Sequence, residues 1–593
     1  MKLKFSNLRY SFRCLGILIK AHPWFLFGQI VSLACLIVQT LVPINIVSKI
    51  VNAYNAGSTE QEIYYIILIN IGILVLVSIV NIIIDFLMNF ISSHFKLAFS
   101  TVLFRKLESI DYDFHEQPDF LDNYTRALDN GAEKIYNVAS SQMSLIKTVF
   151  RSIAVFAVIL SIHYMAIIYT IGIAVIDALL RQVRAKLNYE RMTNMRPYLR
   201  KRWSIARSYF VKDAIPDIKT TDINDVLLDE HKQANEGQLK EYMHYSNRLA
   251  IFDFIGSIMM ASIYPVILGI VCYTTLEIKD VASLAALTVA ATTISNLVNS
   301  FNSVLTEIQI DALEAKVAFE VLDMDSSIEG KGGLDFDEDI TSLEVRNLTF
   351  AYTDKDILKD VNIKINKGEK IAIVGANGAG KTTLVKLLLR LYDPKSGEVL
   401  VNGKDYKTLD PKKLRKKVGA VFQNNEDYSV TIAENILLRK MESSEDEQKV
   451  IDALKFGDLY DYVSKLPDGI NTSVSKEFHR EGTIFSGGQR QKLAVSRGYA
   501  QDYSLFILDE PSSALDPIAE AKMYHHMLEL GKDKTLIFIS HRLSATANVD
   551  RIYLFEDGMV KEAGTHEELM NIPDGRYREM FTSQSEKYFK GTL

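Results

Sequence analysis

Cysteine is scarce. The 593 residues hold three, Cys14, Cys35 and Cys272, scattered in or near apolar stretches. They fit packed core thiols better than a disulfide or metal site. A strong excess of one charge is also missing: Lys and Arg number 67 against 73 Asp and Glu, a net charge of −6. That excludes a strongly basic nucleic-acid binder, and no nucleic-acid partner is expected. Apolar residues are not depleted, at 48%, so a disordered or collagen-like chain is excluded. At this length one core is not expected, and at least two domains are.

Charge is absent from long stretches. Residues 1–310 carry 28 Lys/Arg and 25 Asp/Glu, whereas the remaining 283 residues carry 39 and 48. No Asp, Glu, Lys or Arg occurs in residues 23–48, 63–84, 152–176, 254–276 or 281–306. A helix needs about 20 apolar residues to cross the hydrocarbon of a bilayer, and each of these windows is long enough. His163 and Tyr164 interrupt the third window, and residues 137–162 before it are mostly apolar. Two helices joined by a tight hairpin, at about 137–162 and 164–186, are predicted there, six crossings in all.

Topology follows from the loops. Lys2, Lys4, Arg9, Arg13 and Lys20 precede the first window with no acid among them, which holds that end in the cytoplasm. They read as a retained anchor, with Ser6–Lys20 an amphipathic helix on the membrane surface. The polar connections 96–136 and 181–212 are expected on the same side; the second carries ten basic residues from Arg181 to Lys212. The outer loops are short.

Polar groups inside the crossings bear on cargo. Thr292, Asn296, Asn299, Ser303 and Thr306 recur at spacings of four and three, which places them on one face of the sixth helix. The wall of a wet pathway is one reading; hydrogen bonding between helices is the other. Asp85, Lys147, Arg151, Asp177, Arg181 and Asp253 fall near the inner ends of the crossings. Mutual ion pairing is expected of them, with substrate contact second; both signs are present, so they set no cargo charge.

The second half carries a phosphate-binding pattern. A short apolar strand at 371–374 runs into Gly375-Ala376-Asn377-Gly378-Ala379-Gly380-Lys381-Thr382-Thr383 and then an apolar helix. Glycines let backbone N–H groups turn inward around a phosphate, and the helix N-terminus adds a favourable partial charge. Lys381 is expected on the β- and γ-phosphates of ATP, and the Thr382 hydroxyl on Mg²⁺. A second strand, 505–508, ends in Asp509-Glu510. At the carboxyl end of a parallel sheet these acids face the ligand crevice. Asp509 is expected to hold Mg²⁺, and Glu510 to polarise the attacking water.

Between the strands stands Ser486-Gly487-Gly488-Gln489. This resembles the signature of ATP-binding-cassette (ABC) proteins. Further landmarks occur in order: Tyr352 as the adenine-stacking aromatic, Gln423 as the Q-loop, Asp516 in the D-loop and His541 as the switch histidine. Six crossings before one such domain resemble the exporter-type half transporters over essentially the whole chain.

The resemblance implies a membrane α-helical domain at 1–320, a linker at 321–340 and an α/β P-loop nucleotide-binding domain at 341–593, working as a dimer in a plasma or bacterial inner membrane. Ser486 and Gly488 would act on ATP held by the other chain, a second copy or a homologous half-transporter. Gln423 would touch Mg²⁺, and His541 would assist Glu510. Coupling helices are expected near His115–Tyr124 and Tyr209–Lys219. The implied activity is ATP-driven efflux of an amphipathic or lipophilic cargo, including a small peptide. A multidrug or lipid exporter or flippase, an importer and a gated channel are the alternatives. Two departures stand out: Phe485 replaces the usual Leu before the signature, and residues 473–482, with Glu477 as a candidate coupling acid, do not follow the common exporter pattern.

Overall fold

The computed structural model describes residues 5–160, 164–211, 214–278, 281–330, 332–423, 426–476, 479–510, 528, 534–541, 543 and 547–590. The chain forms two compact units, Met1–Glu108 with Asp119–Met324, and Ser109–Pro118 with Asp325–Leu593.

The first unit is helical. A helix α1 (Phe5–Ala21) precedes α2 (Trp24–Asn55) and α3 (Glu60–Glu108). The short α4 (Tyr112–His115) and α5 (Pro118–Arg126) and one π turn lead to α6 (Ala132–Leu160) and α7 (Tyr164–Ser208). After α8 (Ile215–Thr220) come α9 (Ile223–Ile278) and α10 (Val281–Leu322). The segments read as crossings fall on the long helices α2, α3, α6, α7, α9 and α10. Among the described residues, α2, α3 and α9 contain windows long and apolar enough to span a bilayer.

The polar stretches 96–136 and 181–212 depart from expectation, because they are mostly helix rather than loop. With 49 residues, α3 reaches about 74 Å at ~1.5 Å per residue, more than twice the ~30 Å hydrocarbon core. The polar extensions stay helical by packing in pairs. Between α7 and α9, Arg202 Nη1 donates to Gln238 at 2.7 Å and Asn194 Nδ2 to the Tyr245 hydroxyl at 3.0 Å. Gly237 admits the Tyr198 ring, which a Cβ there would meet at 2.2 Å. Lys134 of α6 pairs with Asp311 of α10 at 2.8 Å.

Only part of the expected ion pairing forms. Asp177, 1% exposed, binds Arg181 at 2.7 Å and Arg184 at 3.0 Å, and Arg184 also reaches Asp253 at 2.8 Å. Lys147 and Arg151 instead donate to hydroxyls of α2, at 3.0 Å to Ser32 and 2.7 Å to Thr40. Their helix face turns toward α2, which carries no acid between Trp24 and Asn55. Asp85 on α3 stays exposed and forms no ion pair among the described residues.

The second unit holds two sheets. An antiparallel sheet, ordered β2-β1-β4-β5, comprises β1 (Ser342–Phe350), β2 (Leu358–Asn366), β4 (Ser396–Val401) and β5 (Lys404–Asp405). The larger sheet is ordered β10-β9-β3-β8-β7-β6. Its strands are β3 (Lys370–Gly375), β6 (Val418–Val421), β7 (Leu505–Asp509), β8 (Thr535–Ser540), β9 (Arg551–Glu556) and β10 (Met559–Gly564). Strands β9, β3, β8, β7 and β6 are mutually parallel. Runs such as Leu505–Asp509 are buried throughout, as strands covered on both faces require. A separate apolar cluster holds Phe485 against Val474 and Leu493. Phe485 is 2% exposed, so the larger ring in place of Leu fills a closed pocket.

Ser109–Pro118, lying in sequence between α3 and α5, belongs to this second unit. The buried Asp111 carboxylate accepts from the backbone N–H groups of Ser327, Ile328 and Glu329 at 2.6, 3.0 and 2.9 Å, and from the hydroxyls of Ser326 and Ser327. Burial alone would raise its pKa, but the bonds from Ser326, Glu329 and Ser327 override that and hold it at about 2.

Candidate nucleotide site

Strand β3 delivers the loop 375–380 to helix α11 (Lys381–Leu388). Gly375 lies against β9, where an added Cβ would stand 2.3 Å from the Phe555 carbonyl oxygen. Gly378 and Gly380 take φ of 82° and 95°, left-handed values that glycine adopts without strain. Ala376, Asn377 and Gly378 are exposed, while Ala379, Gly380 and Thr383 are buried. Lys381, 6% exposed, curls over the loop and donates to the carbonyls of Gly375 at 2.8 Å and Ala376 at 3.0 Å. Burial lowers its pKa, against the charges of Glu510 and Asp509. An ammonium at the mouth of a helix N-terminus fits a phosphate chain.

Strand β7 presents the two acids. Asp509 is 2% exposed, and burial raises its pKa, with a hydrogen bond from Thr382 opposing. A buried carboxylate beside a hydroxyl is an oxygen set that fits Mg²⁺. The next residue turns out of the strand: Glu510 has φ 49°, an uncommon value for a residue with a side chain. That twist aims its carboxylate between two partners. Gln423 Nε2, from the turn after β6, donates to Oε2 at 3.0 Å. His541 Nδ1, just past β8, lies 3.2 Å from Oε1. Three sequence-predicted residues from three adjacent strands thus meet at one carboxylate.

Tyr352 stands apart from this cluster. Its ring is 40% exposed and packs edge-on against Phe350 and Tyr392, with centroids 5.0 and 5.2 Å away. Sequence reasoning missed its surroundings. Lys386 Nζ lies 5.6 Å from the Tyr352 ring centroid and pairs with Glu116 at 2.8 Å. The Tyr392 hydroxyl donates to Glu116 at 2.6 Å. No local motif marks these residues; only the placement of Ser109–Pro118 reveals them.

The signature opens the helix Gly487–Ala500. Ser486 is its N-cap, accepting from Gln489 N at 3.3 Å, while Ser486 N donates to Gln489 Oε1 at 2.9 Å. This capping box leaves Ser486 and Gly487 exposed, with Gly488 and Gln489 half-buried. On α10, Thr292, Asn296, Asn299 and Ser303 are exposed in one chain and Thr306 half-buried. The hydroxyls of Thr292, Ser303 and Thr306 bond to backbone carbonyls of their own helix. Asp516 and Glu477 lie outside the described residues.

Residues 358–513 match the ABC transporter family. Residues 358–513 form an ABC transporter domain. The fold of the whole chain is that of an ABC exporter: it superposes on "Structure of a bacterial Atm1-family ABC exporter with ATP bound" with a TM-score of 0.82, covering 95% of this chain and 98% of that one at 21% identity. Among curated proteins, the "Putative multidrug export ATP-binding/permease protein YgaD" of Bacillus subtilis is 38% identical over 245 residues, 41% of each chain. A Staphylococcus aureus (strain NCTC 8325 / PS 47) protein of the same description is 36% identical over 270 residues, 45% of this chain and 46% of that one. The matches span less than half the length of these relatives. The ABC transporter domain, with its phosphate loop and aligned acids, is built to bind ATP.

Proposed function

We propose that this chain is one half of an ATP-driven efflux transporter of the cytoplasmic membrane, moving an amphipathic or lipophilic cargo by alternating access. The observation that carries this reading is Glu510, held by Gln423 and His541 beside a phosphate loop in a chain with six long helices. Glu510 accepts the proton of the attacking water as general base. His541 and Gln423 orient its two oxygens. Lys381 binds phosphate oxygens; Thr382 and Asp509, with Gln423, would hold Mg²⁺, which when bound would neutralise charge on those oxygens.

The exposed signature supports a two-chain working unit, a homodimer or a pair with a homologous half-transporter, in which Ser486 and Gly488 of one chain close on ATP held by the other. The N-terminus and both nucleotide domains face the cytoplasm. Ser109–Pro118 and α8 act as coupling elements, because Asp111 and Glu116 tie the first of them to the ABC domain. The exposed polar face of α10 lines the pathway. The membrane domain is 1–320 and the nucleotide domain 341–593, joined by a linker at 321–340, with Ser109–Pro118 inserted from the first into the second. The names of the relatives favour a multidrug cargo.

The test is ATP-dependent accumulation of a lipophilic fluorescent dye in inside-out vesicles holding the full chain. Accumulation that Glu510→Gln abolishes supports the pump; passive flux that Glu510→Gln leaves unchanged contradicts it.

A further inference from the structure

Two cations of the membrane half lie on one face of α6. Lys147 and Arg151 stand one turn apart on α6. They are held by Ser32 at 3.0 Å and Thr40 at 2.7 Å, and neither forms an ion pair among the described residues. Thr40 is buried, and its own hydroxyl donates to Leu36 O at 2.7 Å.

Both hydroxyls lie well inside the charge-free window 23–48. At ~1.5 Å per residue Thr40 is about 12 Å from its outer end, and Ser32 about 14 Å from its inner end. A cation at that depth is costly unless it meets an anion or water.

Four other charges of this half pair with one another. Asp177 binds Arg181, Arg184 and Asn302, and Asp253 binds Arg184. Glu307 accepts from Ser141 at 3.3 Å, more than a turn inward of Lys147. Asp85 is near enough to act on Lys147 through space and offsets one of the two positive charges. One remains, together with guanidinium N–H donors of Arg151 beyond the Nε that Thr40 holds.

The neighbouring helix supplies polar groups at the same level. The contacts Lys134–Asp311 and Ser141–Glu307 set α6 antiparallel to α10. Continuing that register outward places Asn296 and Asn299 at the depth of Arg151 and Lys147, and both are exposed in one chain.

We propose that Lys147 and Arg151, oriented by Ser32 and Thr40, bind the anionic group of an amphiphile within the membrane half. The class is a carboxylate or phosphate monoester, which the guanidinium fork takes in two parallel hydrogen bonds and the ammonium as a point charge. This assigns the cargo a charge that the sequence left open, and it rests on the transporter reading.

The test uses the full chain in phosphatidylcholine nanodiscs and four probes sharing one dodecyl tail: dodecyl phosphate, dodecanoate, dodecyltrimethylammonium and dodecyl maltoside. Affinities are measured by calorimetry below the micelle concentration. The site predicts that both anions bind at least about tenfold tighter than the cation. Arg151→Met and Lys147→Met remove that preference, while Arg151→Lys and Lys147→Arg retain part of it; MgATP-induced thermal stabilisation of each variant confirms a folded ABC domain. Equal affinity for anion and cation, or an undiminished preference in both Met variants, overturns the proposal.

Repeating the titration with phosphatidic acid, whose headgroup is a phosphate monoester, in the disc separates the sources of the anion. Competition supports a lipid headgroup in the site, and unchanged affinity a free amphiphile. Unchanged ATPase in Glu510→Gln contradicts the transporter reading and leaves these affinities as they are.

Discussion

The Glu510 carboxylate lies 3.2 Å from His541 Nδ1. Its other oxygen takes the Gln423 amide at 3.0 Å, so one carboxylate is fixed from both sides. Gln423→Ala and His541→Ala each release one oxygen of the proposed base. Each is expected to lower phosphate release by about 10²-fold, the range of a misoriented general base, with ATP affinity little changed. Full turnover in both variants contradicts the positioning role.

Asp111 links the segment 109–118 to residues 326–329. Its pKa is depressed on folding, so its contribution is fully present above the ordinary Asp value and is lost as pH falls through about 2. Below pH about 4, hydrogen exchange at Ser327, Ile328 and Glu329 is expected to accelerate, with about 2 kcal/mol of docking energy lost by full protonation. Asp111→Asn puts an amide donor against backbone donors and shows fast exchange at pH 7. Protection independent of pH and of this substitution contradicts the assignment.

Gly375 has no room for a methyl group. In Gly375→Ala the new Cβ would fall 2.3 Å from the Phe555 carbonyl oxygen, and β3 and β9 must part. The ABC domain is expected to lose roughly 1–3 kcal/mol in denaturant titration and to bind ATP weakly. Phe485→Leu, which leaves only a small gap, is expected to cost less than about 1.5 kcal/mol.

Ser486 separates local from intermolecular roles. Ser486→Ala removes an N-cap worth about 1 kcal/mol, which thermal melting reads. Ser486→Arg blocks the face proposed to meet the second chain, and Lys381→Met disables the phosphate loop. Each variant alone is expected to be inactive, whereas co-assembled chains carrying one substitution each regain one intact site. Absence of recovery in verified mixed pairs contradicts sharing of the site between chains.

The nucleotide site was legible because its chemistry is local. Glycines at 375, 378 and 380, the lysine after them and the acids ending an apolar strand are contiguous patterns. Their meeting with Gln423 and His541 follows from the parallel order of β6, β7 and β8. What stayed illegible is long-range. The arginine-rich stretch after Arg181 reads as loop because its helix is stabilised by α9 rather than by an apolar stripe. Asp111, Glu116, Lys386 and Tyr392 carry no motif, and their roles appear only when residues more than 200 apart in sequence come together. Lys147 and Arg151 read as ion-pair members until their partners proved to be hydroxyls.

The central claim is that Glu510 is the base of an ATP-hydrolysing site. The most direct measurement is steady-state phosphate release by the full chain and by Glu510→Gln in lipid nanodiscs, with ATP binding measured alongside. The account predicts a fall of about 10²-fold or more with ATP still bound, because Gln keeps the shape and loses the proton acceptor. Hydrolysis at the unsubstituted rate would contradict it.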